Sequence, residues 1–210
     1  MIQKRLVISV LVLMSIATFA AASEAIDAKY KEIGAATLGK PAGPEKSATG
    51  GGRVRLYAKG GIWSSKATGA HAVYGATYDK YKSLGAEKGK LGYPVTDVRG
   101  LPDGSEQTLF RHGLILVDKG GAVDAQVMSK ATFTADSVTL KGMKVTKTPQ
   151  NDAFVQVEPQ TGATFSCDCL TGSGDTGTGS CDLRIRGEVV RCANVNCRNN
   201  CRLTYVKGAS

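Results

Sequence analysis

"GIWSSKATGAHAVYG", residues 61–75, holds the only tryptophan of the chain, Trp63, and one of its two histidines, His71. A hydroxyl-bearing run, Ser64, Ser65 and Thr68, lies between them. Just upstream, "RVRLYA" and "IWSS" flank Lys59-Gly60-Gly61, the pattern of a β-hairpin. Side chains alternate across a strand, so Ile62 and Trp63 belong to opposite faces. With Ile62 turned to a core, Trp63 is expected on the more open side. What the stretch means depends on whether it stands alone in the chain.

It does not stand alone. "LYAKGGI" (56–62) returns as "LFRHGLI" (109–115), 53 residues later, and Leu38-Gly39-Lys40-Pro41 returns as Leu91-Gly92-Tyr93-Pro94 at the same offset. "KYKEIGA" (29–35) returns as "KYKSLGA" (80–86), 51 residues later. Matched blocks in one order point to an internal duplication, one supersecondary unit copied. Each unit reads as a short helix, with Ile26/Tyr30/Ile33 or Thr77/Tyr81/Leu84 at spacings of three and four. Gly34 and Gly85 stand where a left-handed cap would end it. A Leu-Gly-x-Pro turn follows, then a hairpin; the second hairpin joins "QTLFR" and "LILV" around His112-Gly113.

Beyond the repeats, residues 127–160 carry short β-like runs ("ATFTA", "SVTL", "MKVTK", "AFVQVE"), rich in Thr and Val. Pro149-Gln150-Asn151-Asp152 reads as a boundary. The last segment holds all six cysteines: Cys167, Cys169, Cys181, Cys192, Cys197 and Cys201. "LRIRGEVVR" (183–191) reads as a hairpin about Gly187, and "RLTYV" (202–206) as a final strand. A segment of about 50 residues buries too little apolar surface to fold without staples. Three disulfides, each worth roughly 2–4 kcal/mol, close that gap. Six cysteines allow 15 pairings, and spacing does not choose among them, though Cys167 and Cys169 are too near in sequence to pair with each other. A metal or cluster site is disfavoured, because paired CxxC motifs and a nearby histidine are missing.

The fold expected is therefore mainly β with two short helices in α+β repeat units, followed by a small disulfide-stapled β domain. The divisions read as a signal peptide (1–22), a tandem repeat domain (23–126), a β-rich connecting segment (127–160) and a six-cysteine domain (161–210). The signal peptide rests on Lys4 and Arg5, the apolar run 6–20 and Ala20-Ala21-Ala22 at the cleavage point. It places the chain outside the cytoplasm, extracellular or periplasmic, with oxidised cysteines and no membrane span after cleavage. The alternative, an uncleaved anchor, fits the small-residue end less well. The formal charge is +9, of which the leader carries two. Basic residues favour polyanionic surroundings, but they are scattered here rather than run together.

Catalytic chemistry finds little support. No G-x-S-x-G elbow is present, and no spacing ties an acid to His71 or to His112, which reads as a solvated turn residue. Paired carboxylates for glycoside hydrolysis have no patterned site. Pro102-Asp103-Gly104 reads as a β-turn rather than a calcium loop. Gly50-Gly51-Gly52 lacks the Lys-Ser/Thr of a phosphate loop. Zinc-finger spacing and recognition-helix patterns are missing, so nucleic acid is not an expected partner. No metal and no cofactor are expected.

A binding role remains. Sugar rings stack on flat aromatic platforms while their hydroxyls reach polar groups. Trp63 and Tyr93, with Ser64, Thr68 and His71, form the candidate ligand set; the competing reading makes Trp63 and Tyr93 core fillers. The chain here resembles the LGFP repeat family over about 26–120, most specifically in "GGIWSSKATGAHAVYG" (60–75) and "KLGYPVTD" (90–97). The aromatic position of the tetrapeptide is Tyr93 in one copy and Lys40 in the other, and the second copy has "LILVDKGGAVDA" in place of the Trp-to-His stretch. The resemblance implies an exported, cell-envelope-associated protein whose repeats hold to the wall. Two functions follow. The first is a non-enzymatic binding protein contacting cell-wall polysaccharide or another envelope polymer through the repeats. The second places recognition of a protein partner, or inhibition, in the disulfide domain, with the repeats as its anchor.

Overall fold

A computed structural model describes residues 23–148, 151–158, 163–169, 179–197 and 201–207. The expected leader, with Lys4 and Arg5, lies outside the described residues, as do Pro149-Gln150 of the expected boundary and most of the loop 170–180. Among the described residues no helix is long and apolar enough to cross a membrane.

Helix α1 (23–33) stops at Gly34, whose φ of 86° few other residues adopt, and a short helix α2 (Ala35–Leu38) follows. The chain then forms a four-stranded antiparallel meander: β1 (Lys46–Ser47), β2 (Arg53–Tyr57), β3 (Gly60–Ser65) and β4 (Gly69–Tyr74). Helix α3 (Gly75–Ser83) leads into a second meander of β5 (Arg99–Gly100), β6 (Glu106–Phe110), β7 (Gly113–Val117) and β8 (Val123–Val127). The duplication is real at the level of single hydrogen bonds. Pro41 bridges Tyr57, and Pro94 bridges Phe110. Lys59 N–H donates to the Leu38 carbonyl at 2.9 Å, and His112 N–H to that of Leu91 at 3.0 Å. Tyr30 and Tyr81 donate their hydroxyls to the Gly39 and Gly92 carbonyls at 3.0 and 2.8 Å. The Leu-Gly pair has a reason: the leucine is fully buried, and the glycine turns at φ 77° or 70°.

Two local expectations need correction. The hairpin turns fall at Ala58-Lys59 and Arg111-His112, so Gly60, Gly61 and Gly113 lie in strands. Their missing Cβ atoms make room for neighbours: a Cβ at Gly60 would stand 2.6 Å from the Val73 carbonyl oxygen. His112 is a turn residue but not a solvated one, since its Nδ1 lies 3.0 Å from the Ala131 carbonyl oxygen.

The elements stack in alternate layers. One face of the first meander (Ile62, Ala72, Tyr57) packs with Ile26 of α1 and with Leu38. The other face (Trp63, Val73) meets Tyr78 and Tyr81 of α3. The far side of α3 lies on Phe110 and Ile115 of the second meander. The opposite face of that meander (Leu109, Leu114) enters the core of the C-terminal part. Helix α3 is thus shared between two sheets.

The C-terminal part has two four-stranded sheets. In one, β9 (Ala131–Phe133) and β10 (Ser137–Leu140) join β14 (Cys181–Arg186) and β15 (Val189–Asn194) in the order β14-β15-β10-β9. In the other, β11 (Lys144–Thr148) and β12 (Asn151–Glu158) join β13 (Ala163–Cys169) and β16 (Cys201–Lys207) in the order β11-β12-β13-β16. Residues 127–160 therefore interleave with the cysteine segment strand by strand. Asn151 and Asp152 of the expected boundary lie in β12, which pairs with β11. The hairpin about Gly187 and the last strand stand where the sequence placed them.

The cysteines pair as Cys167–Cys192, Cys169–Cys197 and Cys181–Cys201. Cys167–Cys192 ties β13 to β15, and Cys181–Cys201 ties β14 to β16, so these two bonds clamp the two sheets together.

Candidate functional site

The five residues of the expected ligand set do not form one open surface. Trp63 is 2 % exposed. Its ring meets Tyr81 edge-on at a centroid distance of 5.0 Å, and its Nε1–H donates to Glu87 at 3.0 Å. Ile62 is fully buried as well. The expectation of an open Trp63 fails because helices cover both faces of the sheet, so strand alternation chooses between two cores rather than between core and water. Ser64 is buried too. Tyr93 lies across Gly52 and donates its hydroxyl to the Thr49 carbonyl at 2.5 Å. It ties the second Leu-Gly-x-Pro turn to the loop before β2.

Thr68 and His71 form a separate, more accessible group. Ser65 and Thr68 hydroxyls lie 2.8 Å apart in the tight β3–β4 turn. His71 Nε2–H donates to the Thr68 carbonyl at 2.7 Å. Its Nδ1 stands 3.6 Å from Asp97 Oδ1. Asp97 is the hub of this corner. It accepts the Ala72 N–H at 2.7 Å, which satisfies the outer edge of β4, and it pairs with Lys29 of α1 at 2.9 Å. Burial acts to raise the Asp97 carboxyl, but His71, the Lys29 ammonium and the Ala72 N–H outweigh it and hold the group below its ordinary value.

His71 and Asp97 open onto a cleft of about 1190 Å³ between the first repeat unit and the disulfide domain. Glu32 and Tyr74 continue the repeat wall, and Asp136, Arg184, Arg186, Arg191 and Asn194 form the opposite one. Arg99 and Arg202 line it too, 9 % and 1 % exposed. Arg99 donates to the Gln107 side-chain oxygen at 2.8 Å and to the Leu203 carbonyl. Gln107, fully buried, in turn donates to the Tyr205 carbonyl at 2.9 Å. These bonds fasten the second meander to β16. Burial pushes the Arg99 guanidinium well below its ordinary range, and the Arg202 charge pushes the same way.

Sequence reasoning missed the cleft. Its arginines come from β5, β14, β15 and β16, segments with no common motif, and only the tertiary fold gathers them. His71 was the one candidate on its wall. The Cys169, Cys181 and Cys197 sulfurs lie close enough to suggest a metal cluster, but each is in a disulfide.

A helix-and-meander unit that recurs, with α3 packed between the two meanders, defines a repeat protein. Residues 38–89 match the LGFP repeat, from the first Leu-Gly turn through the 3-10 turn after α3. The repeat marks a cell-envelope-associated protein. The match runs over the first meander and α3 and leaves out α1; the second meander repeats the hydrogen bonding of the first, and among the described residues no helix follows it. No curated protein matches the chain.

Proposed function

We propose that this chain is an exported, non-enzymatic binding protein, retained at the envelope by contacts between its repeat region and cell-wall glycan. The match of residues 38–89 to the LGFP repeat carries the reading. The geometry agrees with binding rather than catalysis. His71 spends Nε2 on a backbone carbonyl, where a general base would face a nucleophile. The burial of Trp63 moves the contact surface to the Thr68–His71 corner and the adjoining cleft. Co-sedimentation of the exported chain with purified walls at 150 mM salt tests this. Retention, weakened by His71→Ala in a folded variant, supports it; a chain that stays in the supernatant at low salt as well overturns it.

A further inference from the structure

We propose that the cleft between the first repeat unit and the disulfide domain is an oxyanion site, and that the polymer it takes carries carboxylate or phosphate groups. The inference rests on the wall-binding reading and names the chemistry of its ligand. Charge placement carries it. The acids of the cleft already have cations: Lys29 pairs with Glu32 and Asp97 at 2.7 and 2.9 Å, and Arg191 pairs with Asp136 at 3.1 Å.

Among the described residues the cations of the cleft outnumber its acids. Arg186 is exposed and has no carboxylate within 4.0 Å among the described residues. Arg99 is nine-tenths buried, yet its hydrogen bonds go to neutral oxygens of Gln107 and Leu203, and among the described residues its Nε has no partner. Among the described residues no carboxylate stands within 4.0 Å of Arg99, so its charge is left uncompensated in a poorly solvated place, which is costly. An oxyanion entering the cleft removes that cost and matches the planar fork of arginine. Uronate carboxylates and polymer phosphodiesters share this chemistry.

Calorimetric titration of the full exported chain at 150 mM salt tests the site. The probes are an oligogalacturonate, a poly(glycerol phosphate) and a neutral galactan oligomer. The variants are Arg186→Gln, Arg99→Gln and, as a control outside the cleft, Lys119→Gln. One or both anionic probes should bind and the neutral one should not, and their preference identifies the source of the oxyanion. Arg186→Gln should weaken binding about tenfold, the scale of one charge-assisted contact, and Lys119→Gln should leave it unchanged. If Arg99→Gln fails to fold by circular dichroism, the exposed Arg186 variant alone decides. Equal loss in the Arg186 and Lys119 variants, or no loss in either, overturns the cleft. Binding of the neutral oligomer alone, or of no probe, by a protein that still sediments with walls overturns the oxyanion and leaves wall binding standing. Failure to sediment overturns the reading beneath it.

Discussion

Trp63 shows how a conspicuous residue can be read to the wrong side. Its type and its hydroxyl-rich neighbourhood suggest a sugar platform, but the ring is packed against Tyr81 and Tyr78 with its N–H on Glu87. Trp63→Ala is therefore expected to cost about 3–5 kcal/mol of stability, the range for truncating a buried aromatic. Urea denaturation checks it, and a loss under 1 kcal/mol would return the ring to the surface. Asp97 predicts a pH effect. Its folded pKa lies below the ordinary 3.8, so the unfolded carboxyl binds protons first as the solution is acidified. The stability it contributes is fully present above about pH 4 and is lost as pH falls through the lower folded value. Asp97→Asn should lower stability by roughly 1–3 kcal/mol at pH 7. The gap between variant and wild type should narrow at pH 3; urea midpoints at the two pH values decide, and a constant gap would refute the assignment.

The repeat element was legible in detail, because its signals are local. Tyr30 and Tyr81 sit one turn before a glycine stop, and each reaches forward to the Leu-Gly turn that follows. Leu38 and Leu91 recur because each is the buried foot of that turn. The hairpin position was off by about one residue, since Gly60 and Gly113 read as turn glycines when they are strand residues chosen for lack of a Cβ. The disulfide element was legible only in outline. Three bonds followed from count and compartment, but their partners depend on which strands face each other. Removing one of the two inter-sheet bonds with Cys167→Ala/Cys192→Ala is expected to cost about 2–5 kcal/mol. Non-reducing peptide mapping should recover the other two pairs, Cys169–Cys197 and Cys181–Cys201, unchanged. Scrambled partners would show that the bond at 167–192 directs the others.

At the scale of the whole molecule, no helix follows the second meander among the described residues, and the C-terminal sheets cover the face that such a unit leaves bare. Terminal repeats need such a cap. Leu109 and Leu114 have no exposure, and their partners include Phe133, Phe165 and Leu203. A chain ended at Val127 should thus expose that face and bind a hydrophobic dye or aggregate. Light scattering and dye fluorescence measure it; a monodisperse, dye-silent fragment would show that the repeats fold alone. The sequence by itself determined the duplication, the unit's order of helix, turn and hairpin, and the six-cysteine staple, because short-range patterning, turn glycines and residue counts encode them. Only the tertiary structure decided that Trp63 is core, that residues 127–160 interleave with the cysteine strands, and that arginines from four strands meet in one cleft. Those outcomes depend on which faces are covered and which distant strands become neighbours, and burial and long-range pairing leave no spacing in the chain to read.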